Sequence, residues 1–515
     1  MLAAMPPTPA PSPDQGESLI RDRGDACPGA LRLHRADDGL LARLRLPGGI
    51  LTSRQVLALE AAAERLADGN LSVTSRGNIE LRGLGDACAG ELSALLADAG
   101  LLPSERHERI RNVVASPLAG TDGTGHADVQ LWARELDGLL CAEDWTPRLS
   151  GRFLFALDDG RGDVAGLGGD VTLIAESGGT AVVGMGSVSF RVAAADAPRA
   201  ALAAAKAFLA AADAAGNGAW RVTELPSGQT VGLGGALEAA RVDAARIGPE
   251  GEGPGGLAVS GGPGASGGPG GPVAFDGTAV SGGPVAFGAP VASGGSGGGA
   301  VPRGPGGPAV LAGPGASGDS TVSGGAGGGS AALGVGAVAA GAAGPGGPPP
   351  GVIGRAVSVY APLGRVTVAQ WRALLPLPAD ELRVTPWRGF VIPGFGDEGA
   401  ARERLAALDR AGLLADPGSP WLGVGACTGR PGCAKSLADV RADAVPGHGS
   451  LPVHWSGCER RCGHPRGDWV DVLATRDGSY EVTLHTAGST APVTGGTLTE
   501  TVTKARTTTN PTATR

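Results

Sequence analysis

Two blocks of this chain repeat, and the repeat limits the folds it can adopt. LTSRQVLAL (51–59) matches VTVAQWRAL (366–374) at Thr, Gln, Ala and Leu, and LSVTSRGNIELRGL (71–84) aligns without gaps to LRVTPWRGFVIPGF (382–395). Two collinear matches at equal offsets read as an internal duplication. Each copy carries the same local physics. Thr52 and Thr367 can cap a helix, with Gln55 and Gln370 three residues on to complete a capping box. Val56, Leu59, Ala63 and Leu66 fall on one helical face, and a short alternating strand follows, ending at Gly83 or Gly394. Two such halves can pair about a pseudo-two-fold axis.

Between the copies lies a segment of different texture. Residues 251–350 hold 37 of the 92 glycines and only four charged side chains, with no helical or strand periodicity. Such a stretch cannot bury enough apolar surface to offset its backbone entropy, so 246–351 is expected to be a Gly/Pro-rich flexible insert. It lacks the strict Gly-X-Y period of collagen. The Pro-rich leader 1–28 and the Thr/Ser-rich tail 486–515 are expected to be disordered. The folded portions then divide into a first half-domain (29–98), a first α/β lobe (99–245), a second half-domain (352–415) and a cysteine-bearing segment (416–485). Within the first lobe, RFLFALDD (152–159) reads as a strand, DVTLIAE and TAVVGMG as a hairpin around Ser177-Gly178-Gly179, and 197–216 as an alanine-rich helix stopped by glycine. The RGD at Arg161–Asp163 reads as a turn.

The net charge of −8 gives no electrostatic footprint for nucleic acid, and no run approaches the ~20 apolar residues of a membrane span. The N-terminus lacks a basic region and an apolar core, so no secretory signal is visible, and a cytoplasmic location is expected. In that compartment paired cysteines are ligands or redox groups more often than disulfides.

Four of the seven cysteines fall in GACTGRPGCAKS and SGCERRCGHP: Cys427, Cys433, Cys458 and Cys462, spaced C-x5-C, a 24-residue gap, then C-x3-C. Structural zinc favours C-x2–4-C pairs, so C-x5-C is loose for it. An iron–sulfur cluster takes four thiolates over a wider cage, and the neighbouring Gly425, Gly429, Gly432, Gly457 and Gly463 let backbone N–H groups approach it. Zinc and a merely structural role remain the alternatives on spacing alone. Cys27, Cys88 and Cys141 are scattered and read as ordinary thiols.

With the half-repeat, this cysteine pattern resembles the nitrite and sulfite reductase superfamily, whose 4Fe–4S cluster sits beside a tetrapyrrole. RLRLPGGILT (43–52) is similar to the family's R-x-R-x-P-G-G block, VTSRGNIELRG (73–83) to its T-x-R-x-x-x-x-L-x-G strand, and IRNVVASP (110–117) to its R-N-V segment. The resemblance implies an α+β fold of duplicated ferredoxin-like half-domains with mixed α/β lobes. It makes Cys427, Cys433, Cys458 and Cys462 the cluster ligands, and Arg43, Arg45, Arg76 and Arg111 partners for tetrapyrrole carboxylates. Arginine suits that role because its rigid fork of donors pairs bidentately with a carboxylate.

Two departures point to one branch. The reductases' K-x-K pair falls here on Arg152 and Leu154 of LSGRFLFAL (149–157), and Leu154 can neither bind an oxyanion nor deliver a proton. The asparagine usual inside C-x3-C is absent, and SGC…C-x-HP is similar to the precorrin-3B synthase branch. That branch implies precorrin-3A and dioxygen as substrates, C20 hydroxylation and γ-lactone formation, and an NADH-linked or ferredoxin-like electron donor. It also implies a mononuclear non-haem iron beside the cluster, with His126 and Asp128, His454 and His464 as loose candidates. A sirohaem-dependent nitrite or sulfite reductase is the alternative.

Overall fold

The computed structural model describes residues 25, 27–247, 346–465, 467–476, 478–486 and 489–507. The leader lies outside these residues apart from Asp25, Cys27 and Pro28, as does the insert apart from its two margins. The architecture is α+β, with four sheets.

The two repeats build two five-stranded sheets, and each lends the other its edge. The first runs His34–Ala36, Gly39–Leu44, Ile79–Leu84, Asn70–Val73 and then Arg365–Thr367 from the second repeat. The second runs Gly351–Ile353, Ala356–Tyr360, Gly389–Pro393, Leu382–Val384 and then Ile50–Leu51 from the first. Val366 pairs with Leu71, and Leu51 with Leu382. This exchange covers one edge of each sheet, an arrangement that removes a row of otherwise unpaired backbone groups. Both capping boxes form: Thr52 accepts from Gln55 N–H at the head of Ser53–Leu66, and Thr367 from Gln370 N–H at the head of Val368–Arg372. The faces turned inward by Val56, Leu59 and Ala63 share one core with Leu374, Phe390 and Ile392. The indole of Trp371, fully buried, donates to Val56 O across the interface at 2.9 Å.

A six-stranded sheet carries the first lobe, in the order Ala244–Ile247, Val188–Ala193, Thr180–Met185, Val171–Glu176, Phe155–Asp158 and Val113–Ala115. The expected hairpin is its Val171–Glu176 and Thr180–Met185 pair. The alanine-rich helix spans Ala197–Ala215 and ends on Gly216 in the left-handed region. The RGD turn is internally braced. Asp158 accepts four backbone N–H groups (Gly160, Gly162, Val164, Ala165), and Arg161 bonds Asp159 and Asp122.

The cysteine segment forms the fourth sheet: Val424–Ala426, Val453–Ser456, Trp469–Arg476, Ser479–Thr486 and Ser489–Pro492. The expectation of a disordered tail from 486 is corrected here. That edge strand and the helix Leu498–Thr507 close the segment, with Val502 and Ala505 fully buried. Arg506, 2 % exposed, donates to Leu422 O at 2.6 Å, Leu451 O at 2.9 Å and Gly447 O. It ties three loops to the helix. Thr and Ser composition misled because the anchors are few and widely spaced. Residues 508–515 lie outside the described residues.

Candidate cluster and tetrapyrrole site

Val424–Ala426 and Val453–Ser456 are adjacent and parallel, and Cys427 and Cys458 each follow the C-terminal end of one. Ligands of open α/β sheets gather at that edge of the strands. The Cys427 N–H donates to Trp455 O at 3.0 Å, and the Gly457 N–H donates to Cys427 Sγ at 3.2 Å. Backbone N–H donation to a cysteine sulfur is one of the levers that set an iron–sulfur potential. The loop carrying Cys433 is stitched to the other cysteine turn by Leu437 N–H to Gly457 O at 2.7 Å. Cys462 closes the set and is exposed.

The thiols crowd one another. Burial pushes the Cys427 thiol up first, and the neighbouring Cys458 and Cys462 push it further; burial followed by Cys458 does the same to Cys462. Thiols placed so resist ionisation until a cation shares them. The spacing favours a wide cage. Tetrahedral zinc, with Zn–S near 2.3 Å, needs sulfurs about 3.8 Å apart. Among the described residues the trio of ligand atoms within 4.8 Å of one another is Asp158, Asp159 and Asp163, and no three cysteine sulfurs come so close. The acidic trio is already committed to its turn and to Ser116, which donates to Asp163 at 2.6 Å.

All four cysteines open on one cavity of about 1090 Å³, above the ~300–1,000 Å³ of an ordinary small-molecule site. Ten arginines and one lysine line it, against Asp37, Glu80 and Glu224. In a chain of net charge −8 this is a concentrated cationic wall.

Arg76, on the turn after Asn70–Val73, faces this cavity without a hydrogen-bonding side-chain partner among the described residues, and burial, then Arg221 and Arg45, lower its pKa to about 10. Arg43 lines the wall but is paired to Glu80 at 2.6 Å. Arg45, 4 % exposed, donates to Arg109 O, Gly151 O and Cys27 Sγ, so it shapes the wall from behind. Arg111 corrects the sequence reading: it is not among the cavity-lining residues. It is buried, with its guanidinium forked onto both oxygens of Asp137 at 2.5 and 2.7 Å. Replacing Arg111 by Ala is expected to lower stability by about 2 kcal/mol, discounted for the partly exposed Asp137, and to leave ligand affinity unchanged. Chemical denaturation and a binding titration check the two halves.

Sequence reasoning sets Arg152 at the first K-x-K position but misses Arg82, Arg221, Arg388 and Arg441 as cavity residues. Arg82 bonds Asp38 at 2.8 and 2.9 Å and reaches Gly432 O at 3.0 Å, linking the first half-domain to the cysteine loop. Arg152 lies over the Trp220 ring at 5.0 Å. Among the described residues Arg441 holds only a 3.4 Å contact to Leu363 O and its Nε lacks a partner, and burial first, then Arg365 and Arg388, lowers it to about 10. Leu154, at the second K-x-K position, points elsewhere. It is 1 % exposed, packed with Val114, Ala156 and Val164.

The candidates for a second iron do not converge. Asp128 caps the helix Val129–Ala142, His126 is exposed, and His464 stacks on Trp469 at 5.0 Å. His454 is fully buried; burial first, then Arg388, lowers it to about 3, and its Nε2–H donates to Cys462 O at 3.0 Å. Among the described residues no histidine joins a trio of metal-ligating atoms within 4.8 Å, so they present no assembled facial triad.

Comparison with known proteins bears on this geometry directly. Residues 32–99 match the nitrite/sulfite reductase ferredoxin-like half domain. The solved structure of the Mycobacterium tuberculosis NirA protein superposes with a TM-score of 0.54 at 17% identity, over 89% of this chain and 76% of that one. The chain has the nitrite/sulfite reductase fold. Within that fold, a precorrin-3B synthase from Sinorhizobium sp is 34% identical over 147 residues, 28% of this chain and 31% of the relative. A ferredoxin–nitrite reductase from Leptolyngbya laminosa is 32% identical over 102 residues, 19% of this chain and 20% of the relative. The chain thus matches about a third of the curated synthase and a fifth of the curated reductase. Among the described residues no helix is long and apolar enough to cross a membrane.

Proposed function

We propose that this chain is an oxygen-dependent precorrin-3B synthase of cobalamin biosynthesis, a monooxygenase acting on precorrin-3A. The observation that carries the reading is the cavity itself: four cysteines open on a wall of arginines, while Leu154 lies in an apolar cluster where the resemblance expects a second lysine. A reductase delivering many protons to an oxyanion needs cationic donors there. A polycarboxylate macrocycle needs distributed arginines instead, and among the described residues Arg76, Arg152, Arg441 and Arg460 have little-committed guanidinium groups.

In this reading the reaction places one atom of dioxygen on C20 and reduces the other to water with two electrons and two protons, and the ring A acetate closes the γ-lactone. Cys427, Cys433, Cys458 and Cys462 would hold a 4Fe–4S cluster, which would supply electron transfer from a ferredoxin-like or NADH-linked donor. The arginines bind and orient the macrocycle in the cavity. No side chain is assigned as acid or base, and no step is assigned to a mononuclear iron.

The test is the absorbance spectrum of protein purified without oxygen, with iron, sulfide and extractable tetrapyrrole quantified. About four to five irons with labile sulfide and broad absorbance near 400 nm are expected, without stoichiometric sirohaem and with conversion of precorrin-3A under oxygen. Stoichiometric sirohaem would turn the assignment to a nitrite or sulfite reductase, the reading favoured by the match to ferredoxin–nitrite reductase.

A further inference from the structure

The duplicated halves contain the same tight turn, built by the same bonds. In the first, Gly77 N–H donates to Thr74 O at 3.1 Å, Thr74 N–H to Asn78 O at 2.9 Å, and Asn78 N–H to Thr74 Oγ1 at 3.1 Å. In the second, Arg388 N–H donates to Thr385 O at 3.1 Å, Thr385 N–H to Gly389 O at 2.9 Å, and Gly389 N–H to Thr385 Oγ1 at 3.1 Å. The corner residue sits at φ 65 in both, yet it is glycine in one and arginine in the other. Glycine adopts that conformation freely, and an L side chain does so against steric resistance. The turn itself needs no side chain, as Gly77 shows. A strained arginine at a cavity wall calls for a functional reason.

The side chain leaves its own half-domain and enters the cysteine segment. Nη2 donates to Gly463 O at 2.9 Å. Its path is cleared by glycines. A Cβ on Gly364 would stand 2.4 Å from Arg388 Cδ, and one on Gly425 would stand 2.0 Å from Nη1. Gly425 lies in a strand and has no positive φ, so space, not backbone conformation, accounts for it. Gly463 follows Cys462, whose own carbonyl accepts the His454 Nε2–H. Two successive carbonyls of the fourth-cysteine turn are thus held by side chains, one of them from outside the segment. Arg388 also lines the cavity beside Cys458 and Cys462, with no acidic partner among the described residues.

We propose that Arg388 is a positioning and charge-tuning residue: it fixes the turn bearing Cys462 and sets a cation at the cavity-facing edge of the cluster, favouring the reduced cluster. This rests on the 4Fe–4S reading above. A positive charge near a cluster stabilises the form that has gained an electron, and so raises the reduction potential.

The experiment is a redox titration of the full chain reconstituted with iron and sulfide, followed by electron paramagnetic resonance, with iron per chain measured in parallel. Arg388→Gly keeps the left-handed turn and is expected to fold and hold iron, with the midpoint potential shifted to a more negative value. Arg388→Lys, which keeps charge without the fork, is expected to shift less. Gly425→Ala, which leaves Arg388 in the chain but takes its place, is expected to shift the same way as Arg388→Gly. An unchanged potential in Arg388→Gly overturns the proposal. If that variant loses iron, unchanged potentials in both Arg388→Lys and Gly425→Ala overturn it. A wild-type chain that takes up no cluster sinks the underlying cluster assignment instead, and the two failures are therefore told apart.

Discussion

Cys458→Ser is expected to abolish the 4Fe–4S absorbance near 400 nm, while Cys88→Ser leaves it intact. Cys458 follows the central parallel strand Val453–Ser456 and lines the cavity with its three partners. Serine replaces a thiolate ligand with a hydroxyl that ionises far less readily, and Cys27, which also lines this wall, is engaged by the Arg45 guanidinium and Gly151 O. Cys88 instead stands at the head of the helix Ala89–Asp98 in the first half-domain and is absent from the cavity wall. Iron and sulfide per chain, measured on both variants after identical reconstitution, give the result. Equal loss in both would remove Cys458 from the ligand set, and retention in both would return the segment to a structural role. The effect should be large, because the site assembles from two loops stitched together.

The parts of this site that could be read from sequence are those whose partners are near in sequence or repeated. The cysteines and the capping boxes at Thr52 and Thr367 are local patterns, and the structure realises the capping boxes as local bonds. The exchange of Ile50–Leu51 and Arg365–Thr367 between sheets could not be read so, because it joins strands more than 290 residues apart through backbone bonds that carry no side-chain signature. Arg111 shows the converse failure. Its motif resembles a ligand-binding block, but the side chain is decided by Asp137, one helix away. Arg388 had a usable signal. It aligns with Gly77 in the duplicated turn, so an arginine stood where the first copy has glycine, and such a substitution at a left-handed corner marks a side chain with a task. Arg221 and Arg441 had no comparable mark; only tertiary packing brings them to the same wall.

Arg76→Ala is expected to weaken tetrapyrrole binding by about 10- to 100-fold, the loss of one charge-assisted carboxylate pair, without lowering iron content. The structural ground is that this guanidinium faces the cavity with no hydrogen-bonding partner among the described residues, within electrostatic reach of Arg45 and Arg221. Burial is the first cause of its lowered pKa of about 10, and those two cations add to it. The sign follows. The folded pKa lies below the value of an unfolded arginine, so at neutral pH folding holds a cation that the ligand-free cavity disfavours, and the penalty fades only as pH rises past about 10. Removing the charge should therefore leave the ligand-free protein as stable as before or more so, while affinity falls. Opposite signs in stability and binding separate a ligand-binding arginine from a structural one such as Arg111, whose loss should lower stability and spare affinity. Thermal unfolding of the ligand-free variants beside titration with a polycarboxylate uroporphyrinoid reads both quantities. If Arg76→Ala lowers the unfolding midpoint and leaves affinity unchanged, Arg76 belongs to the scaffold, and binding must rest on Arg152 and Arg441. A weaker salt dependence of binding in Arg76→Ala would carry the same assignment independently, since one fewer cation would meet the ligand's carboxylates.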